Sequence, residues 1–123
     1  MTAGEINKLK TGLIGESIAK KFLQKKGYEI IEQNFRTKYS EMDLVVKKKD
    51  VLVFVEVRTK TNELFGSPEE TINKNKINRL IRSAEAYAAC NNYSGKMRID
   101  AICIVLNPDD TPKRIAHYES ITL

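Results

Sequence analysis

The chain has 123 residues, of which 41% are hydrophobic, and its 21 Lys and Arg outnumber 16 Asp and Glu, for a formal net charge of +5. This length supports a single domain, residues 1–123, with one core. No apolar run approaches the roughly 20 residues that span a bilayer. Because the N-terminal residues lack the apolar segment of a signal peptide, we expect a cytoplasmic protein with no membrane partner. The positive charge slightly favours polyanionic partners, although many proteins with such a charge bind no nucleic acid.

Hydrophobic periodicity and turn residues predict two helices and five strands. In chain order these are a helix over residues 9–26, a strand over 28–36, hairpin strands around 40–46 and 51–58, a helix ending near 91–92, a strand over 97–106 and an edge strand over 114–121. The second helix begins either near Pro68, in a sequence that resembles a capping box, or at Asn73. Because a helix connects the third strand to the fourth, we expect a mixed α/β sheet with helices packed on it.

The hairpin is the most informative segment, because each of its apolar strands carries a carboxylate that a buried strand disfavours. If its turn has two residues, Asp43 lies opposite Glu56 and Glu41 lies opposite Arg58, with Cβ atoms roughly 5 Å apart in each pair. A three-residue loop would instead place Asp43 and Glu56 on opposite faces. With the two-residue turn, the other face of the hairpin carries Met42, Leu44, Val46, Val53, Val55 and Val57.

Two acids on adjacent strands admit two interpretations. In the first, Asp43 and Glu56 are oxygen ligands of Mg²⁺ or Mn²⁺, ions that proteins bind through one or two carboxylates together with water and substrate phosphate. Such a site activates water for attack on phosphorus. In the second, the acids belong to a structural ion-pair patch in which Arg58 and Lys60 supply the counter-charge. These residues alone do not decide between the two.

Further charged residues are expected near this pair. Arg58 projects on the same face as Glu56, where it can hold a scissile phosphate or stabilise charge that develops in the transition state. Glu16 falls at the border of the apolar stripe of the first helix. Gly12 and Gly15 would let this helix approach the sheet closely, although an isolated glutamate at such an edge is more often solvated.

Basic residues predict a surface for phosphates around the acids, and ordinary solvated helix charge explains the helical ones equally well. Since there are few aromatic platforms and no dedicated reading helix, we expect binding that is insensitive to base sequence. The candidate nucleic-acid-binding residues are Arg58, Lys60, Lys74, Lys76 and Arg79.

The residues that usually bind zinc do not form a recognisable pattern. Cys90 and Cys103 are both expected to be free, buried thiols, since one falls in a helical pattern and the other in an apolar strand. His117 has no neighbouring ligand at a metal-binding spacing, so a zinc site is not expected.

Together these segments resemble the YraN family, bacterial proteins related to the PD-(D/E)XK restriction-endonuclease-like superfamily. The family pattern runs G-x-x-G-E-x-x-A, G-Y, N-x-R, G-E-I-D-L, V-F-V-E-V-K/R, a helix lysine and R-F-D. Each motif is weak alone, whereas their order and spacing over residues 12–105 are fairly specific. The matching segments are Gly12 to Ala19, Gly27-Tyr28, Asn34 to Arg36, Ser40 to Leu44, Val53 to Arg58, Lys76 and Arg98 to Asp100.

The resemblance implies a restriction endonuclease-like αβββαβ core with a nuclease site. In it, Asp43 matches the strand-two aspartate, Glu56 and Arg58 match the E-x-K segment, and Glu16 matches an extra helix acid. These four residues are the candidate catalytic set, and the three acids are the candidate ligands of Mg²⁺ or Mn²⁺. The chain departs from the pattern at Ser40, where the family has glycine, at Arg58, where the superfamily has lysine, and at Ile77, where glutamine is expected.

Three functions are consistent with these features. The first is a metal-dependent nuclease that hydrolyses phosphodiester bonds, and the alternative is a non-catalytic nucleic-acid-binding module with a degenerate nuclease site. A weaker third option is a scaffold for other DNA-handling proteins. The expected partner is nucleic acid, with DNA favoured over RNA, and the residues leave open whether the protein is a monomer or a homodimer.

Overall fold

The computed structural model describes residues 1–122, which form a five-stranded mixed sheet with two α-helices. The strands lie in the order β1-β2-β3-β4-β5; β3 and β4 are parallel, and the other neighbours are antiparallel. The predicted mixed α/β sheet is confirmed, and the element order matches an αβββαβ core followed by an edge strand. The elements are α1 (Ala3–Lys25), β1 (Glu29–Arg36), β2 (Glu41–Lys48), β3 (Val51–Lys60), a 3₁₀ turn (Glu69–Thr71), α2 (Lys74–Cys90), β4 (Lys96–Leu106) and β5 (Pro112–Tyr118).

Both helices begin at residues whose side chains cap them. Thr2 and Glu5 form a capping box that starts α1 six residues before the predicted position, because capping satisfies backbone groups of a first turn whose side chains are exposed and carry no apolar pattern to reveal it. The second helix begins after Asn73, whose side chain accepts from the backbone N–H of Lys76. The alternative start at Asn73 is therefore confirmed, and the earlier capping sequence opens only the 3₁₀ turn.

The two faces of the sheet bury separate apolar clusters, one under each helix. On the α1 face, Ala19 and Leu23 pack on alternate residues of the central strands. Burial of a leucine or phenylalanine side chain contributes about 1.5–3 kcal/mol, so each helix is held by its apolar face. The cluster on the α2 face contains Met42, Val45, Leu52, Phe54, Leu80, Ala84, Tyr87 and Ile99.

The hairpin has the predicted register along most of its length. Lys49 and Asp50 form a two-residue turn, and Lys49 adopts a left-handed φ of 55°. The ladder then runs in register from the turn to the pair of Leu44 and Val55. One assignment is wrong, because Met42 packs on the α2 face instead of sharing the α1 face with Leu44. The alternation breaks at the intervening Asp43, whose side chain bonds to β3.

The two thiols differ in their exposure to solvent. Cys103 is buried, but Cys90 is exposed, because α2 ends there and its last turn buries Tyr87 and Ala88 while Cys90 lies outside the buried face. The prediction of a buried Cys90 is therefore wrong.

Within residues 1–122, neither helix combines the length and the apolar character that would be required to cross a membrane.

A candidate metal and nucleic-acid site

The candidate site lies where β2 and β3 separate. The antiparallel ladder between them ends at the pair of Leu44 and Val55. Beyond this point the backbone N–H of Val57 donates to Oδ2 of Asp43 over 2.8 Å. A carboxylate thus takes the place of a backbone acceptor, and the strands open around an acidic side chain.

The side chains of Asp43 and Glu56 meet in this gap, as the register predicts. Glu56 is only 3% exposed and lies within hydrogen-bonding reach of the Asp43 carboxyl. Burial and, secondly, the negative charge of Glu56 raise the pKa of Asp43 from 3.8 to about 8. The Asp43–Glu56 pair therefore retains a proton near neutral pH unless a cation replaces it.

Two cations flank Glu56. Its Oε2 lies 2.8 Å from Nε of Arg58 and 3.5 Å from Nζ of Lys76. The first cation comes from the same strand and the second from the first turn of α2. Among the residues that the structure describes, the buried N–H at Nε of Arg58 has no well-aligned acceptor. The contact between Arg58 and Glu56 is therefore an ion pair and not a well-formed hydrogen bond.

The predicted pairing of Glu41 with Arg58 is wrong. Arg36 lies directly opposite Glu41 on β1 and donates to its Oε2 over 2.9 Å. Because β2 stays paired with β1 while it separates from β3, the cation on β1 is the closer one. Arg58 therefore contacts Glu56 on its own strand instead.

Glu16 is brought to this region by the close packing of α1 on β3. A Cβ added to Gly15 would lie 1.8 Å from Oγ1 of Thr59, so a glycine is required for the observed approach. The prediction of a close approach is confirmed for Gly15 but not for Gly12, whose added Cβ would meet nothing within 4 Å. Gly15 thereby determines how near Glu16 comes to the sheet.

An asparagine connects Glu16 to the other acids. With its amide oriented to satisfy its neighbours, the side-chain nitrogen of Asn34 lies 3.0 Å from Oε1 of both Glu16 and Glu41. Burial raises the pKa of Glu16; the hydrogen bond from Asn34 opposes this shift, and the charges of Glu41 and Glu56 add to it. The structure therefore brings Glu16 into electrostatic contact with the site.

The Asp43–Glu56 pair and Glu16 do not form a compact trio of ligands. Within residues 1–122, three acid or imidazole ligand atoms lie within 4.8 Å of one another only at Asp100, His117 and Glu119. The protein itself supplies a cation to this group of Asp100, His117 and Glu119. Arg98 donates to both carboxylate oxygens of Asp100 and lies 3.2 Å from Glu119. We interpret it as an ion network that fastens β5 to β4.

A cleft of about 530 Å³, here called the α1–β3 cleft, opens beside Glu16, while Asp43 and Glu56 lie outside its lining. Glu16, Arg58 and Lys60 line it, together with Lys8 from α1. Polar side chains and cations around an acidic edge provide space for a phosphate-bearing ligand. The remaining lining residues are Asn7, Thr11, Gly12, Val57, Thr59, Thr61, Pro68 and Thr71.

The predicted basic surface is divided by the fold. Arg58 and Lys60 line the α1–β3 cleft, whereas Lys76 is turned to Glu56. Lys74 is exposed at the start of α2, and Arg79 lines a separate cleft further along that helix. The five basic residues therefore lie in two different clefts, beside Glu56 and at the exposed start of α2.

Two contacts of the site are not predicted by the sequence. Asn34 falls in the N-x-R motif, which does not indicate that its side chain bridges two acids or that its backbone has a left-handed φ of 52°. An asparagine within a strand pattern is the one signal that points to it, because asparagine tolerates this conformation. Lys76 is predicted to contact phosphates, whereas its short distance to Glu56 depends on how α2 lies over the sheet.

The fold and the site define an α/β protein with an acidic pair, Glu56 buried and Asp43 half-buried, at the point where two central strands separate. The chain belongs to the uncharacterised protein family UPF0102, whose family model matches residues 15–104. The family-level resemblance to YraN is thereby confirmed.

Related proteins match almost the whole chain. It is 39% identical over 115 residues to a UPF0102 protein of Caldanaerobacter subterraneus, with 92% of this chain and 94% of the relative covered. It is 41% identical over 107 residues to one of Syntrophomonas wolfei, with coverage of 86% and 91%. It is 34% identical over 108 residues to one of Flavobacterium psychrophilum, with coverage of 88% and 89%.

Proposed function

We propose that the protein is a metal-dependent nuclease of the PD-(D/E)XK type, which hydrolyses phosphodiester bonds in nucleic acid. The observation that carries the proposal is the Asp43–Glu56 pair, two carboxylates held together in the gap between β2 and β3. Burial and, secondly, the proximity of like charges cost free energy in the absence of a cation, as the raised pKa of Asp43 reflects. Active sites are where such unfavourable arrangements concentrate.

The residues fit a divalent cation. Asp43 and Glu56 would hold Mg²⁺ or Mn²⁺ directly, and Glu16 would contribute through its charge or through water from the α1 side. Hard oxygen ligands, one or two of them from protein, are the set that these ions prefer. A bound ion supplies Lewis-acid polarisation of a phosphoryl oxygen and a water of lowered pKa.

The flanking cations have separate tasks in this proposal. Arg58 is part of the wall of the α1–β3 cleft, where its guanidinium can hold a phosphate by charge-assisted hydrogen bonds. Arginine stays protonated and cannot readily serve as a base. Lys76, whose ammonium lies 3.5 Å from Glu56, is the side chain that can orient water or donate a proton at this acid.

One observation favours the alternative, a non-catalytic nucleic-acid-binding module. Glu56 already has two cationic neighbours, Arg58 and Lys76, so part of its charge is compensated without metal. A site in which protein cations replace the metal could bind phosphates without hydrolysing them.

The decisive experiment measures cleavage of duplex, single-stranded, flap and four-way DNA, and of single-stranded RNA, with Mn²⁺, Mg²⁺ or EDTA. We expect metal-dependent cleavage by the wild type and its loss in Asp43→Asn and Glu56→Gln. Asp50→Asn, at the exposed turn, is the matched control and should cleave like the wild type. Binding of these substrates that is equal in metal and in EDTA, without cleavage, would support the alternative, and cleavage that survives in Glu56→Gln would contradict the proposed site.

The role of Lys76 is tested by Lys76→Met, with Lys74→Met as the control on the same helix. If Lys76 acts at Glu56, single-turnover cleavage should fall by about 100-fold, as for loss of one transition-state donor. The Kd for duplex DNA, measured with EDTA, should change no more than in the control. An equal loss of binding in both variants, with no specific loss of rate, would make Lys76 an ordinary phosphate contact.

A further inference from the structure

A short turn between β1 and β2 is fixed to α2 by a cluster of hydroxyl groups. Oγ1 of Thr37 accepts from the backbone N–H of Tyr39 and of Ser40, and Thr37 donates through its backbone to the Ser40 carbonyl over 2.9 Å. Ser83 of α2, which is fully buried, lies 2.7 Å from Oγ1 of Thr37 and 2.6 Å from Oγ of Ser40. The turn therefore has a defined position against the helix, with Lys38 and Tyr39 at its tip.

Two cations lie near the ring of Tyr39. Nζ of Lys38 is 5.3 Å from the centre of its ring, and Cζ of Arg82, from the turn of α2 that carries Ser83, is 5.7 Å from it. The ring is half-buried, and both cations are exposed. An aromatic ring with flanking cations can stack on a base and neutralise the adjoining phosphates.

These residues line a cleft of about 450 Å³, here called the Tyr39 cleft. Its lining consists of three cations, one aromatic ring and two amides, with no acid. Side-chain amides add hydrogen bonds that suit the edges of bases. The lining residues are Lys38, Tyr39, Asn75, Asn78, Arg79 and Arg82.

We propose that the Tyr39 cleft binds an unpaired nucleotide, so that the protein recognises nucleic acid with a single-stranded segment. In this arrangement a base stacks on Tyr39, while Arg79 and Arg82 contact the phosphates on either side. Lys38, which has an exposed side chain, moves from the ring to a phosphate. A base inside a duplex is already stacked on both sides and does not offer a free face to the ring.

This inference rests on the nucleic-acid-binding part of the proposed function and specifies its substrate class. Lys76 and Arg79 lie on the same helix three residues apart, so the Tyr39 cleft and the Asp43–Glu56 pair are connected through α2. A strand that is unpaired at the Tyr39 cleft can therefore continue toward the acids. Branched or single-stranded substrates are expected to be preferred over intact duplex.

The test measures the binding of fluorescein-labelled oligo-dT of about 12 nucleotides, a length within the range of single-strand site sizes, and of a duplex of equal length, both in EDTA. Tyr39→Ala should lower the affinity for the single strand roughly 5- to 100-fold and leave the salt dependence unchanged, because it removes stacking without removing charge. Tyr39→Phe, which keeps the ring, should bind like the wild type. Arg79→Ala should lower the salt slope by roughly 0.7.

Comparison of oligo-dT with oligo-U of equal length shows whether DNA or RNA is the source of the unpaired nucleotide. Equal single-strand affinity of Tyr39→Ala and the wild type would overturn the inference, as would a loss that is the same for duplex. If Asp43→Asn abolishes metal-dependent cleavage while Tyr39→Ala binds normally, the proposed function stands and this inference fails. If no cleavage occurs but Tyr39→Ala loses single-strand affinity, the inference stands and the catalytic part of the proposed function fails.

Discussion

In the proposed function, most of the chemistry depends on Asp43. Its folded pKa, about 8 against an ordinary 3.8, means that the ionised form is disfavoured by folding. The resulting loss of stability is absent below about pH 4, increases as the pH rises, and is complete above about pH 8. At pH 8 the metal-free protein is therefore expected to be less stable than it would be if the Asp43 carboxyl kept its ordinary pKa.

Asp43→Asn should remove this loss, because an amide can still accept from Val57 and donate toward Glu56 without charge. In EDTA, we expect its melting temperature to exceed that of the wild type at pH 7–8 by several degrees, which corresponds to about 1 kcal/mol or more, and the difference to shrink toward pH 4. Differential scanning fluorimetry over this pH range measures the effect.

The same variant tests for the metal by mass action. Millimolar Mn²⁺ or Mg²⁺ should raise the melting temperature of the wild type and of Asp50→Asn, but should raise that of Asp43→Asn much less. An unchanged wild-type melting temperature at millimolar metal would contradict direct binding at the Asp43–Glu56 pair.

At the scale of elements, the contact of α1 with β3 depends on one glycine. Gly15→Ala should destabilise the protein by roughly 1–3 kcal/mol, because its Cβ would overlap the Thr59 side chain and force the helix away from the sheet. Gly12→Ala is the matched control on the same helix, since its Cβ meets nothing within 4 Å. It should stabilise by about 0.5–1 kcal/mol through helix propensity. Urea denaturation separates the two, and equal effects would contradict the observed packing.

The loop between β3 and α2 is fastened to β5 through Glu69. Arg114 donates to both of its carboxylate oxygens and Tyr118 donates to one, and these hydrogen bonds lower the pKa of Glu69 from 4.5 to about 2. A lowered acid pKa stabilises the fold fully above pH 4.5, and this contribution disappears as the pH falls toward 2.

Glu69→Gln should therefore melt below the wild type at pH 6, and the two melting temperatures should converge as the pH falls from 4.5 toward 2. The difference should be small, because the side chain is 28% exposed and the ion pair is partly screened. Glu85→Gln, an exposed acid on α2, is the control and should match the wild type throughout. A pH-independent difference would show that the carboxylate charge is not what fastens the loop.

At the scale of the whole molecule, the proposed binding to nucleic acid, which the net charge of +5 slightly favours, should weaken steeply with salt. Because the fold separates Lys60 from Arg79, each should contribute independently, so the double variant Lys60→Ala/Arg79→Ala should lower the salt slope for duplex DNA by about two units. The double variant Lys96→Ala/Lys113→Ala removes equal charge from exposed positions elsewhere and is the control. Equal slopes for both double variants would indicate diffuse attraction without defined contacts.

Much of the fold and the central pair could be predicted from the sequence. The period-2 alternation and the Lys49-Asp50 turn determine the hairpin register, and this register brings Asp43 beside Glu56. The helix between β3 and β4 determines that these strands are parallel. The hairpin depends on neighbours that are close along the chain, which is why periodicity and turn chemistry are sufficient for it. The parallel pair joins residues 45 positions apart, such as Val55 and Asp100, and follows from the rule that governs helical connections.

Other parts of the site were decided by tertiary structure. Glu41 pairs with Arg36 because β2 separates from β3 at Asp43, and Lys76 reaches Glu56 because α2 lies over that end of the sheet. Periodicity identifies which face of a helix is buried but not its position along the strands, and alternation does not reveal where a ladder ends. The Tyr39 cleft likewise depends on a hydrogen bond between Thr37 and Ser83, 46 residues apart. Contacts of such range arise only when both elements are packed on the sheet.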